Sequence, residues 1–461
     1  MNSSFNYLPQ NERKKIMLIC DDIRVHSGVA TIAKELVLNT AQHFNWVNIA
    51  GAINHPEKGK RFDLSQDTNT NTKLTDASVF LYPVDNYGDA DLIRHMIEVE
   101  KPDAIMLITD PRYFEWLFAI ENEIRKHMPI IYLNIWDDYP APLYNKAFYE
   151  SCDALLAISK QTKLINELVL DEKRGKKIIE YVPHGLNHDV YYPIVKENEL
   201  KELETLKSTI FGGKEKDFVV FFNSRNIRRK QTSDVIYSYR LFCDMLPKEK
   251  SDKCILIMHT TPIDNNGTDL YAVVDKICPD YRVELHGTKI EATLLNQLYN
   301  VADCTINIAN NEGFGLSTAE SLMAGTPIIV SVTGGLQDQC GFEYTADDYI
   351  NIETLSNKKK HNHTPHGVWV NPIWPTATNI NGSPLTPYIY DDRVNDYDVA
   401  NAIFEFYNMG RDVRKEKGLK GREWALNNLS SKIMCDALIN GIETTLEKFQ
   451  PRKKYDLYKI V

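Results

Sequence analysis

Short aliphatic runs alternate with helical patterns along most of the chain, and the alternation starts over once near the middle. That rhythm is the signature of a parallel sheet with crossover helices on its faces. In the first half the runs are "KKIMLICDD" (14–22), "WVNIAGAI" (46–53), "SVFLYPV" (78–84), "DAIMLITD" (103–110), "PIIYLNIWDD" (129–138), "ALLAISK" (154–160) and "KIIEYVPHG" (177–185). Several are apolar at nearly every position, as strands covered on both faces should be. Helical patterns such as 28–44 and 115–127 lie between them. The series resumes with "DFVVFFNSR" (217–225) and continues through 254–261, 281–287, 303–309 and 326–335. The expected class is therefore α/β, with two Rossmann-like domains.

The stretch "VPHGLNHDVYYPIVKENEL" (182–200), punctuated by Pro, Gly and His, reads as the linker. The expected organisation is an N-terminal Rossmann-like domain over 1–190 and a second Rossmann-like domain over 191–410. Helices follow at 411–461, packing across the interface. Residues 340–395 are polar and rich in Pro, Asn and Thr, which predicts a long loop or lid.

With 461 residues, two or three domains are expected. A net charge of −10 argues against non-specific nucleic-acid binding, which needs a positive footprint. No apolar run has the length of a membrane span, and the polar N-terminal residues do not read as a signal peptide. Eight scattered cysteines with no CxxC pair read as reduced thiols of a cytoplasmic protein. The basic C-terminal "QPRKKYDLYK" reads as a solvated tail.

One stretch carries chemistry. In "TINIANNEGFGLSTAESLMAG" a buried strand feeds a Gly-Phe-Gly turn that opens a helix. Ligands of open α/β sheets bind at the carboxyl ends of strands. Gly313 and Gly315 let backbone N–H groups come close, and the helix starting at Leu316 aims its positive end at the same spot, which suits a phosphate. Glu320 falls beside the apolar stripe of Leu316, Ala319 and Met323. A carboxylate there needs donors, such as two vicinal sugar hydroxyls, unless it sits at the stripe's edge and reaches water.

"EGFGLSTAE" resembles the E-x7-E motif of retaining glycosyltransferases of the GT-B fold, specifically family four. Other landmarks occur in that family's order: "SGVATIAKELV" (27–37), "YVPHGLNHDVYYP", "SRNIRRK" (224–230), "VELHGTKIEATLLNQLYNVADCTINIA" and "AGTPIIVSVTGG". The resemblance implies two Rossmann-like domains whose parallel sheets face a central cleft, with C-terminal helices crossing back to the first domain. It implies a retaining hexosyltransferase that uses a nucleotide-diphosphate sugar as co-substrate, first expectation mannose or glucose, with no metal or other cofactor. Residue by residue, Arg225 and Lys230 match the basic pair that holds the diphosphate, Glu320 the acid on the ribose, and Glu312 the acid over the donor sugar. Phe314 and the amides of Gly313, Gly315 and Leu316 complete the donor turn. Ser27 and Gly28 match the first-domain loop, and the base is expected near Thr288 and Lys289.

The chain departs from the family where a histidine is usual. The strand "PIIYLNI" runs instead into Trp136, Asp137 and Asp138. Asp137 is either an acid serving the acceptor or an oxocarbenium-like state, or a cap or salt-bridge partner. Asp110, Arg112 and Asp138 are further acceptor-side candidates. The hydroxyl acceptor stays open among a glycan, a lipid-linked sugar, a protein, a metabolite and a modified nucleic acid base; so does the oligomeric state. Alternatives within the fold are a sugar-nucleotide epimerase, a phosphorylase, or a non-catalytic nucleotide-sugar-binding subunit. Arg228 and Arg229 read as a solvated charge run, "HNHTPHG" (361–367) as a polar loop, "GDAD" (88–91) as a helix cap, and His184 as part of a hinge.

Overall fold

The computed structural model describes residues 7–25, 27–52, 54–214, 216–343 and 364–453. The chain forms two compact units. The first takes residues 1–136, 141–185 and 431–461; the second takes 137–140 and 186–430.

The first unit is built on β1 (Lys14–Asp21), β2 (Phe44–Gly51), β3 (Phe62–Asp63), β4 (Val79–Pro83), β5 (Ala104–Ile108), β6 (Ile130–Asn134), β7 (Ala154–Ala157) and β8 (Ile178–Tyr181). They form one sheet in the order β3-β4-β2-β1-β5-β6-β7-β8. Every pairing is parallel except that of β3 with β4. The register sets Ile16 beside Trp46 on one side and Ala104 on the other. Ile16 to Cys20 are fully buried, as a strand covered on both faces requires. After β1 the helix Gly28–Thr40 starts on Ser27, whose Oγ accepts the Ala30 N–H at 3.0 Å. The helix Ser431–Lys448 belongs to this unit too, packing on Gly28–Thr40, β7 and β8.

The second unit is built on β9 (Phe218–Asn223), β10 (Cys254–His259), β11 (Val283–His286), β12 (Cys304–Asn307), β13 (Ile328–Ser331) and β14 (Val370–Ile373). They run parallel in the order β11-β10-β9-β12-β13-β14. Side chains alternate along β9, so its residues feed two cores. Phe218, Val220 and Phe222 pack with Val235, Tyr239 and Phe406. Val219 and Phe221 face Leu203, Leu298 and Tyr299 instead. The strand order reverses between β9 and β12, and such a switch point opens a crevice beyond the strand ends. The loops leaving those two strands hold residues 224–231 and 308–315.

Sequence and structure differ in places. The 340–395 stretch expected as a loop contains β14 and a two-stranded antiparallel hairpin, β15 (Ala377–Ser383) and β16 (Thr386–Arg393). The hairpin is exposed and polar along most of β15, so it lacks the alternation that announces a half-buried strand. The helix expected over 115–127 is two short pieces, Glu115–Ala119 and Glu121–Ile124, interrupted at Ile120 (φ −108°, ψ 13°). The helix Arg411–Asn428 lies in the second unit, while Ser431–Lys448 lies in the first. All eight cysteines are free and buried. Among the described residues no helix is long and apolar enough to cross a membrane.

Candidate active site

The turn after β12 is fixed by its neighbours' backbone. Gly315 has φ +89° and ψ 65°, a left-handed conformation that glycine adopts without strain, and the helix Leu316–Met323 starts immediately after it. Gln339 Nε2 donates to the Phe314 and Gly315 carbonyls at 2.7 and 2.9 Å. The Gly335 N–H donates to the Glu312 carbonyl at 2.7 Å. A Cβ on Gly335 would lie 2.3 Å from the Gly313 oxygen, so the two loops touch backbone to backbone only because that residue is glycine. The helix therefore presents its first N–H groups beside Glu312.

Glu312 meets two cations. Lys230 Nζ forms an ion pair with Glu312 Oε2, and an Arg229 guanidinium nitrogen lies 3.3 Å from the same oxygen. Burial alone would push the Glu312 carboxyl up, but the charges of Lys230 and Arg229 hold it below its ordinary range. Burial lowers Lys230 in turn. Arg229 also donates to the Asn311 carbonyl and stands 3.6 Å from Asp137 Oδ2. Its reading as part of a solvated charge run is thus corrected: the side chain is 42% exposed, yet its head group bridges two acids. Arg228 is exposed, as expected of such a run.

Asp137 and Asp138 belong to the second unit and are hydrogen-bonded through their side chains. Burial raises both, Asp138 much further, with the charge of Asp137 adding to it. The two acids titrate as a coupled pair, and Asp137 is the one that faces Arg229. Asp391 on β16 bonds Asn311 Nδ2 at 2.9 Å, and Asp392 accepts from Thr333 Oγ1 at 2.9 Å. Two adjacent acids thereby pin the hairpin to the loops around Glu312.

Glu320 does not reach water at a stripe's edge. It is 9% exposed, and Tyr299 donates to its Oε2 at 2.7 Å. Burial lifts its carboxyl to about 7, against the hydrogen bonds of Tyr299 and Tyr191. Tyr299 Oη accepts from Asn223 Nδ2 at 2.9 Å, and Asn223 Oδ1 lies 2.9 Å from His259 Nδ1. His259 Nε2 is 3.3 Å from the Thr288 carbonyl. A single line of contacts therefore runs from the Thr288 backbone to Glu320.

The other candidates are placed as follows. Arg225 is 63% exposed and pairs with Asp264 at 3.3 Å, apart from the Lys230–Glu312 pair. Lys289 is exposed. In the first unit, Ser27 Oγ donates to Asp21 at 2.5 Å, and Gly28 begins the helix. Asp110 caps the turn Pro111–Phe114 and accepts from Arg112 Nε at 2.8 Å, so those two candidates pair with each other. Asp89 caps the helix Ala90–Glu100, as read for "GDAD". Burial pushes His184 down to about 4. His361 and His363 lie outside the described residues. Sequence reasoning missed Arg229, Tyr299, Asn223, His259, Asp391 and Asp392. Of these, Asn223 and His259 alone carried a signal, each being the last residue of a strand at the carboxyl edge.

No protein-family model matches the chain, and no curated protein sequence matches it. Solved structures do. Anabaena HepE in complex with UDP and glucose superposes with a TM-score of 0.64 at 12% identity, covering 94% of this chain and 100% of that one. Sucrose-phosphate synthase from Thermosynechococcus elongatus gives 0.65 at 14% identity, covering 94% and 100%. The E. coli structure described as trehalose-6-phosphate bound with UDP-2-fluoro glucose gives 0.61 at 11% identity, covering 95% and 100%. The chain has the GT-B fold.

Proposed function

We propose that the chain is a glycosyltransferase that takes a hexose from a nucleoside-diphosphate sugar, with retention of configuration and without a metal, in the cytoplasm. The observation that supports this most is the turn after β12: a Glu312–Lys230 ion pair, a helix N-terminus and the buried Glu320 gathered at one strand end. Breaking a sugar–phosphate bond builds negative charge on the departing diphosphate. In this reading Lys230, joined by Arg225 and the amides from Gly313 to Leu316, receives that charge where a divalent ion would otherwise sit. Glu320 accepts two ribose hydroxyls, and Glu312 accepts hydroxyls of the sugar. An acceptor hydroxyl attacks the anomeric carbon on the face the phosphate leaves. The new carbon–oxygen bond forms as the old one breaks, and the acceptor proton passes to the phosphate oxygen. Asp137 serves the acceptor side. HepE with UDP and glucose, and the E. coli structure with UDP-2-fluoro glucose, favour a UDP-sugar as the first donor to try.

The test is turnover of UDP- and GDP-sugars by the purified chain, with EDTA present and absent. Wild type should release nucleoside diphosphate at the same rate in EDTA. Lys230→Ala should lower that rate about 100-fold or more, as the loss of one donor to developing charge does elsewhere. Unchanged turnover by Lys230→Ala sinks the proposal; inactivation by EDTA that manganese reverses sinks its metal-free form.

A further inference from the structure

Lys230 is engaged with Glu312, a carboxylate at the turn whose side chain is 12% exposed. The proposed function asks Lys230 to meet a diphosphate, which draws its ammonium off the carboxylate. Glu312 would then be a partly buried acid without its main counter-charge, and such a group takes up a proton more readily. A protonated Glu312 is a poorer acceptor for sugar hydroxyls. The structure holds a second cation for this moment: Arg229, 3.3 Å from the same Glu312 oxygen and anchored by its bond to the Asn311 carbonyl. Arg229 cannot release its proton, and its fork makes several bonds at once.

We propose that Arg229 is the positioning residue that takes over Glu312 when Lys230 turns to the donor phosphate, keeping the acid ionised and aimed at the sugar. The inference rests on the reading of this site as a nucleotide-sugar site. The groups facing Glu312 are Lys230 and Arg229 on the turn after β9, and Asp137 from the 137–140 segment. Asp138 and Asp391 stand behind Asp137. Once Lys230 has turned to the phosphate, loss of Arg229 leaves Glu312 without a facing cation, which raises the acid.

Calorimetric binding of UDP-glucose and of UDP, from pH 5.5 to 8.5, tests this on wild type, Arg229→Ala, Arg229→Gln and Arg229→Lys. The quantity to read is the ratio of the two affinities, because titration of Glu320 touches both ligands and cancels. The terminal phosphate of UDP titrates in every variant alike, so each profile is compared with that of wild type. In Arg229→Ala and Arg229→Gln the preference for UDP-glucose should fall, relative to wild type, by up to about tenfold per pH unit as pH falls across this range. Binding of UDP itself, which needs no ionised Glu312, should not weaken relative to wild type as pH falls, and Arg229→Lys should restore the preference. Profiles for the Ala and Gln variants that overlay wild type overturn the handover. A uniform, pH-independent loss for both ligands overturns it too, since it marks a merely structural arginine. Failure of wild type to bind either nucleotide overturns the parent reading instead, and the inference with it.

Discussion

Replacing Glu320 with Gln should make the protein more stable while weakening its binding of nucleotide. Burial lifts the Glu320 carboxyl from 4.5 to about 7. At about 1.4 kcal/mol per pH unit, that gap amounts to a cost on the order of 3 kcal/mol to the folded state. The sign follows from which state holds the proton. Below pH 4.5 both folded and unfolded chains carry it, and the group costs nothing. Between 4.5 and about 7 the unfolded chain loses it while the folded one keeps it, so stability drains away as pH rises. Above 7 the full cost is present. Glutamine keeps the shape, still accepts the Tyr299 O–H through its amide oxygen, and never ionises. Thermal unfolding followed by circular dichroism should show Glu320→Gln melting roughly 5–10 °C above wild type at pH 8, on about 2–4 °C for each kcal/mol. The two curves should converge toward pH 5. In the same preparation the affinity for a nucleoside diphosphate should drop about tenfold or more, because one carboxylate oxygen has become a donor facing ribose hydroxyls. A variant that melts below wild type at pH 8 refutes the reasoning. So does an equal gap at pH 5 and pH 8, since the effect would then owe nothing to ionisation.

Two further substitutions test how the second unit is held. Gly335→Ala puts a Cβ 2.3 Å from the Gly313 oxygen and 2.7 Å from Phe314 Cα. It should cost about 1–3 kcal/mol in urea unfolding and weaken nucleotide binding, whereas Gly175→Ala, whose Cβ meets nothing within 4 Å, should do neither. Arg414 is 5% exposed and joins Asp303 at 2.8 Å to the Phe406 carbonyl at 2.9 Å. Arg414→Ala leaves the partly buried Asp303 without its cation and should cost about 1–3 kcal/mol by the same assay. Lysine should not rescue it, because one ammonium lacks the guanidinium's fork.

The parts of this molecule that were legible in its sequence are those where one physical demand acts on consecutive residues. Strands buried on both faces must be apolar throughout, so β1, β5, β6 and β9 stand out as uninterrupted runs. A turn that needs a left-handed residue before a helix writes itself as glycine, and Gly315 is at that position. What escaped depends on partners distant in sequence. Within "SRNIRRK" the spacing singled out Arg225 and Lys230, but the tight turn Arg228–Lys230 delivers Arg229 to Glu312, 83 residues further on. Nothing local marks Tyr299 as the donor to Glu320, since a tyrosine on a buried helix face ordinarily reads as core. The hairpin was hidden because its residues answer to no core, and the aspartates that tie it down resemble any polar turn.

The helix Ser431–Lys448 has a consequence for how the chain is made. It packs against Gly28–Thr40, Cys435 Sγ reaching the Asn39 carbonyl at 3.4 Å and Glu443 meeting His43 at 2.7 Å. Gly441 sits where a Cβ would be 2.9 Å from Leu156 on β7. On the ribosome the strands of the first unit emerge early, yet β7, β8 and the helix Gly28–Thr40 lack this partner until residue 448 has been added. The second unit, apart from residues 137–140, is contiguous from 186 to 430 and has all of its strands before that point. Synthesis from the N-terminus thus inverts the usual order: the domain begun first is the one finished last, and the surface of β7, β8 and Gly28–Thr40 that this helix covers stays exposed longest.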